Sequence, residues 1–181
     1  MMDNTDISFI AAAIAFAAMA FTGWQAWISR KHNKLSVTPH LTIWESELNN
    51  GSYSYELRNN GIGPAIITSL QFFVDGELVS GKKLEPHRKI VQLLLPNIHC
   101  NFTGSYFPPG YMMPAGNSIN LISISILGIH GLTKSELEAS AERVCVVINY
   151  ESIYGDKFDF DSDKVREAQK IQQDSLAQNR H

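Results

Sequence analysis

Apolar and polar positions follow three rhythms along this chain. From Ile7 to Ile28 the run ISFIAAAIAFAAMAFTGWQAWI carries no formal charge, and about 22 residues at 1.5 Å each span about 33 Å as a helix, enough for a bilayer's hydrocarbon core. A transmembrane helix is expected there. Beyond Pro39 the period falls to two, the rhythm of half-buried strands. Tyr53, Tyr55 and Leu57 oppose Ser54, Glu56 and Arg58, and Ile66, Leu70, Phe72 and Val74 oppose Ile67, Ser69, Gln71 and Phe73. Asp75-Gly76 then signals a two-residue hairpin turn before Glu77-Leu78-Val79. Further strands are expected over 88–95, over 119–127 with Ile122, Ile124 and Ile126 on one face, and over 144–150 with Val144, Val146, Ile148 and Tyr150 on one face. A closing strand carries Phe158 and Phe160 after the turn Tyr154-Gly155-Asp156-Lys157. Roughly seven strands at this spacing predict an antiparallel β-sandwich of immunoglobulin-like type. One short helix, TKSELEASAER, with Thr133 as cap and Glu136 in capping-box spacing, is expected across one end. From Ser162 to His181 a third rhythm places Val165, Ala168, Ile171 and Leu176 on a loose stripe, a frayed, solvated polar helix opening at Ser162 or Asp163 and too short for a stable coiled coil, with a docking segment as the alternative.

These rhythms divide the chain into an N-terminal segment 1–6, a transmembrane helix 7–28, a basic juxtamembrane linker 29–38, a β-sandwich domain 39–161 and a helical tail 162–181. Trp24 and Trp27 fall where an interfacial aromatic belt belongs, and Arg30, Lys31 and Lys34 follow the span, whereas Asp3 and Asp6 precede it. By the positive-inside rule that asymmetry predicts a single-pass protein of the cell's inner membrane, N-terminus outside and domain cytoplasmic. A cleaved signal peptide is the competing reading, since Ala18-Met19-Ala20 has small-x-small spacing, but the acidic N-terminus lacks the basic residues such a peptide opens with. Ala11, Ala15 and Gly23 on one stripe, and Ala13 with Ala17 on another, would let a partner helix or a second copy approach closely.

Charge and chemistry narrow the function by exclusion. A formal net charge of −3 gives no basic field for nucleic acid. Cys100 and Cys145 are the two cysteines and stand outside any C-x-x-C spacing, so free, apolar-packing thiols are expected, pairing only in an oxidising compartment. His40, His87, His99 and His130 never fall at H-x-x-x-H spacing, and no nucleophile elbow occurs. Asp159-Phe-Asp161-Ser-Asp163 has the opening of a calcium loop, but Lys164 and Lys170 occupy the places of its glycine and closing glutamate, so a strand running into a helix cap is expected instead. Neither Asn50-Gly-Ser nor Asn101-Phe-Thr is meaningful as a sequon in a cytoplasmic domain. No catalytic residue, metal or cofactor is expected. Asn59-Asn60-Gly61-Ile62-Gly63-Pro64 lacks the Lys-Ser/Thr and helix of a phosphate cradle and reads as a shaped bend between edge strands. The loop from His99 to Pro114 concentrates Phe102, Tyr106, Phe107, Tyr111, Met112 and Met113, side chains favoured at protein interfaces, stiffened by Pro108-Pro109. Covering the end of the core is its equal alternative.

The stretch LRNNGIGPAIITSLQFFVDGELV, with MPAGNSINLIS after it, resembles immunoglobulin-like and fibronectin-like bacterial domains carrying an Asn-x-Gly bend, an Asp-Gly hairpin and a Pro-Ala-Gly turn. With KHNKLSVTPHL behind the span and INYESIYGDKF near the end, the chain is similar to small uncharacterised membrane-anchored bacterial proteins. That resemblance implies a fold and an architecture without an activity. A membrane-tethered, non-enzymatic scaffold or accessory subunit binding a protein partner is therefore expected, with an extracytoplasmic envelope domain of reverse topology, joined by a Cys100–Cys145 disulfide, as the alternative.

Overall fold

The computed structural model describes residues 3–48, 52–96, 98, 100–126 and 134–178; Asn50, His99, His130 and the expected cap Thr133 lie outside them. Helix α1 spans Asn4–Leu35, none of it buried, and is long and apolar enough to cross a membrane. It runs through most of the stretch expected as a linker. Its last turn is closed by the Ser36 amide and hydroxyl, both donating to the His32 carbonyl at 2.9 Å, and by the Thr38 hydroxyl on Lys34.

The rest is two antiparallel sheets. One has the order β1-β2-β7-β5, from Leu41–Leu48, Ser52–Asn59, Ser118–Ile126 and Cys100–Gly104; the other is β4-β3-β8-β9, from Glu77–Leu78, Ala65–Val74, Val144–Glu151 and Lys157–Asp161. A short strand, β6 (Tyr111–Met113), also pairs with β3. Inward-facing Leu41, Leu57, Ile67, Met113, Leu121 and Ile148 are all at most 2 % exposed. Each contributes about 1.5–3 kcal/mol relative to an exposed side chain. The Asp75-Gly76 hairpin turn is present, with both residues at positive φ, 51° and 81°, as a right-twisted two-residue hairpin demands.

Two strand expectations need correction. In β3 the two-residue alternation does not run unbroken: a bulge between Ile67 and Ser69 shifts its phase, so Ile67 rather than Ile66 is buried with Phe72 and Val74. The segment expected as a strand over 88–95 belongs to helix α2 (Glu85–Leu94), which buries His87, Ile90 and Val91 at helical spacing and carries Pro86 in its first turn. The sandwich thus holds more than one short helix. Helix α3 (Lys134–Glu142) covers one end, where the Tyr55 hydroxyl donates to the Ala141 carbonyl at 3.1 Å.

The tail is helix α4 (Ser162–Gln178). Its cap is Asp161, not Ser162 or Asp163: Asp161 Oδ1 accepts from the Asp163 and Lys164 amides at 3.0 and 3.4 Å, while the buried Ser162 hydroxyl accepts from the Val146 amide of β8 at 2.9 Å. Its first turn is docked as well, since the Arg166 guanidinium donates to the carbonyls of Ala141, Glu142 and Val144 and so closes the C-terminal end of α3. Farther along, Ile171 and Leu176 are exposed.

Candidate functional site

The residues expected at the membrane interface lie on the last turns of α1. Trp24 and Trp27 are mostly exposed, with ring centroids 5.7 Å apart, and Lys31 Nζ stands 5.7 Å from the Trp27 ring. Arg30 is exposed on the same helix. Lys34 has a role that no local pattern marks: its ammonium donates to Asp156 Oδ1 at 2.8 Å, tying the helix to the β8–β9 turn. That pairing holds the Asp156 carboxyl below its usual range. Ser152 shapes the turn, its hydroxyl accepting from the Tyr154 and Asp156 amides at 3.2 Å each.

Below the helix the chain passes through a clasp. Asn59, fully buried at the end of β2, accepts on Oδ1 from the His40 amide at 3.2 Å and the Gly61 amide at 3.1 Å. Its Nδ2 donates to the carbonyls of Gly63 at 2.9 Å, Pro114 at 3.2 Å and Met113 at 3.3 Å. The following loop folds over the incoming segment, with the Ile62 and Gly63 amides donating to the Thr38 carbonyl at 3.1 and 3.4 Å. A Cβ on Gly63 would overlap the Val37 carbonyl group, and one on Gly61 the His40 amide nitrogen. Both glycines are therefore required for close backbone approach. The Asn-Asn-Gly-Ile-Gly-Pro bend does not join edge strands, because β2 lies inside its sheet between β1 and β7. It crosses from one sheet to the other and grips the anchor's exit as it does so. On the far side, the Leu41 amide donates to the Tyr150 hydroxyl at 3.5 Å, so the joint is held by both sheets.

The aromatic loop is divided between core and surface. Phe107 and Met113 are buried, Phe102 and Tyr111 are half-buried against the core, and Tyr106 and Met112 are about half exposed. Phe107 and Tyr111 pack at 5.1 Å. Tyr106 and Phe107 line one groove with Pro109.

The two thiols are free and belong to different sheets. Cys145 alternates with the inward residues of β8 and points out of the second sheet, toward Asp161 Oδ1 at 3.5 Å. A disulfide to Cys100 would require rebuilding β8. Burial pushes the Cys145 thiol up to about 11 and also raises that of Cys100. Cys145, Asp161 and Asp163 place ligand-type atoms within 4.8 Å of one another. The thiol stays protonated, Asp161 caps α4, and Asp163 receives the Arg166 guanidinium at 2.6 Å. What this cluster does is start a helix.

No protein-family model matches the chain, and no curated protein matches it. Among solved structures it is similar to the archaellum periplasmic stator protein FlaG from Sulfolobus acidocaldarius, at 12% identity over 68% of this chain and 99% of that chain, with a TM-score of 0.24. A likeness at that level assigns neither a family nor a function.

Proposed function

We propose that this protein is a membrane-tethered, non-enzymatic scaffold or accessory subunit, its β domain held at the cytoplasmic face to engage a protein partner. The observation that carries the reading is the joint: Asn59, Gly61, Gly63 and the Lys34–Asp156 pair fasten an apolar helix to both sheets, which suits a domain presented in one orientation. Arg30, Lys31 and Lys34 after the span, against Asp3 and Asp6 before it, support the cytoplasmic placement. The structural commitments of Cys145, Asp161 and Ser162 support a non-catalytic role. We further infer an immunoglobulin-type sandwich, supported by the strand orders β1-β2-β7-β5 and β4-β3-β8-β9, which correspond to A-B-E-D and to C-F-G with one added edge strand.

Topology is the test. A cysteine placed at exposed Gln173 in the full chain should be protected from an impermeant maleimide in intact cells and labelled after lysis. Labelling in intact cells would put the domain outside and replace this reading with the envelope one, which lacks the Cys100–Cys145 bridge that would have favoured it.

A further inference from the structure

The free edge of β3 is interrupted in the middle. β6 pairs with it over Ala65–Ile67 and β4 over Phe73–Val74, so that among the described residues no strand neighbours Thr68 to Phe72 on that side. The sequence forces this gap. Gly110 donates the last bond of the β6 side, to the Ile67 carbonyl at 2.8 Å, and the residues before it are Pro109 and Pro108, which have no amide hydrogen to continue a ladder. At the other end the Val79 amide donates to the Phe72 carbonyl at 2.8 Å. Within a strand, one residue's amide and carbonyl face the same side, and the side alternates along the chain. The Leu70 amide and carbonyl therefore face the gap together with the Phe72 amide, the bulge at Thr68 reconciling this phase with that of Ile67.

Beside the gap lies a groove of about 370 Å³ lined by Leu70, Phe72, Tyr106, Phe107, Pro109 and His87, with Lys83 as its charged lining residue. His87 is 1 % exposed, and its buried ring nitrogens face the Leu121 and Ser105 carbonyls without completing a well-formed hydrogen bond. Its ring sits against Phe72 with centroids 5.1 Å apart and occupies the space that a Cβ on Gly104 would need. Desolvation lowers its pKa, favouring the uncharged ring, which forms part of the groove's buried wall. Leu70 offers one donor and one acceptor from its main chain. That donor and acceptor, an apolar wall and the Lys83 ammonium fit a peptide main chain with an apolar side chain and an acidic neighbour.

We propose that this groove is a strand-addition site, in which an extended segment of a partner protein pairs with β3 at Leu70 and Phe72, lays an apolar side chain on Phe107 and His87, and turns acidic residues toward Lys83. The proposal rests on the interaction-module reading and names its site. The full chain is expressed in its host with benzoylphenylalanine replacing either Tyr106, at the groove, or Trp44, on the exposed face of β1, and is irradiated. An adduct at position 106 should map to one linear segment of a partner. That segment, as a synthetic peptide, should slow hydrogen exchange of the Leu70 and Phe72 amides at least 10-fold, and N-methylation of its pairing amides should weaken binding at least 10-fold. An adduct at 106 without that protection, or one mapping to a second copy of this chain, overturns the proposal. Adducts at 44 alone overturn it while leaving the interaction reading in place, and none at either position ends both.

Discussion

Replacing Asn59 by alanine should loosen the grip of the domain on its anchor. The amide oxygen accepts two backbone hydrogens, and the amide nitrogen has two hydrogens to distribute over three carbonyls at 2.9–3.3 Å, so four bonds' worth of interaction is lost. At roughly 0.5–1.5 kcal/mol net each, and with the part-buried Gly61 and His40 amides left short of an acceptor, the change should cost about 4 kcal/mol. For a domain of this size that lowers Tm by on the order of 15 °C. Asn59→Asp separates this account from simple loss of volume. The carboxylate keeps the acceptor side but turns a second oxygen on three carbonyls, so at pH 7 it should destabilise at least as much as alanine. At a pH low enough to protonate it, part of that loss should return. Thermal unfolding of the full chain in detergent, followed by near-ultraviolet circular dichroism, reads both variants. A loss below about 1 kcal/mol for alanine, or an aspartate variant as stable as the parent at pH 7, would refute the clasp.

Other outcomes follow from the same structure. Gly63→Ala forces a methyl into the Val37 backbone and should cost about 3 kcal/mol in the same melts, whereas Gly23→Ala, with nothing within 4 Å of its Cβ position, should be neutral. Ala15→Lys at the centre of the span should cost about 2.5–3.5 kcal/mol of insertion, and carbonate extraction should release much of it from membranes. Cys145, raised from 9.0 to about 11, should react with maleimide about 100-fold more slowly than an unperturbed thiol near pH 8, since only the thiolate attacks; a rate equal to that of an unfolded control contradicts its placement. His87 has a folded pKa below its unfolded value of 6.5, so the unfolded chain binds more protons, and stability present above pH 6.5 is lost as pH falls toward the folded pKa. Urea midpoints at pH 7.5 and 5 should show that loss in the parent and less of it in His87→Leu.

The sequence was most informative where a single physical rule governs a segment. An uncharged run from Ile7 to Ile28 leaves little alternative to a long exposed helix, and Asp75-Gly76 permits few turns other than the one found. Period two failed in two ways. Within β3 the bulged Thr68 shifts the phase, and nothing in Ile66-Ile67-Thr68 marks which residue will be bulged. Over 88–95, the apolar Ile90, Val91, Leu93, Leu94 and Leu95 suit either a buried strand or a helix face, and the deciding signals were Pro86 and the 3–4 spacing of His87, Ile90, Val91 and Leu94. The strands β1 and β6 passed unread because Trp44, Glu45 and Met112 break the expected alternation at sheet edges, and β5 because its alternation runs for only five residues. The joint was legible only as an unusual Gly-x-Gly bend. That its glycines Gly63 and Gly61 make room for the backbone of Val37 and His40, well over 20 positions away in the first case and about 20 in the second, is a tertiary relation that no local pattern encodes. The Lys34–Asp156 pair, separated by 122 positions, is beyond sequence periodicity for the same reason.

Because α1 continues unbroken to Leu35 and is gripped immediately afterwards, helical phase is transmitted into the domain's compass bearing about the membrane normal. Each residue of α-helix turns the chain by about 100° and advances it by 1.5 Å. Deleting one residue between Arg30 and Asn33 would thus swing every face of the sandwich through more than a quarter of a circle while barely altering its height above the lipid. Removing a whole turn would restore the bearing and lower the domain by about 5 Å. The nine residues from Trp27 to Leu35 act as an indexed shaft, and a partner also fixed in the membrane would be sensitive to their number before it was sensitive to their identity.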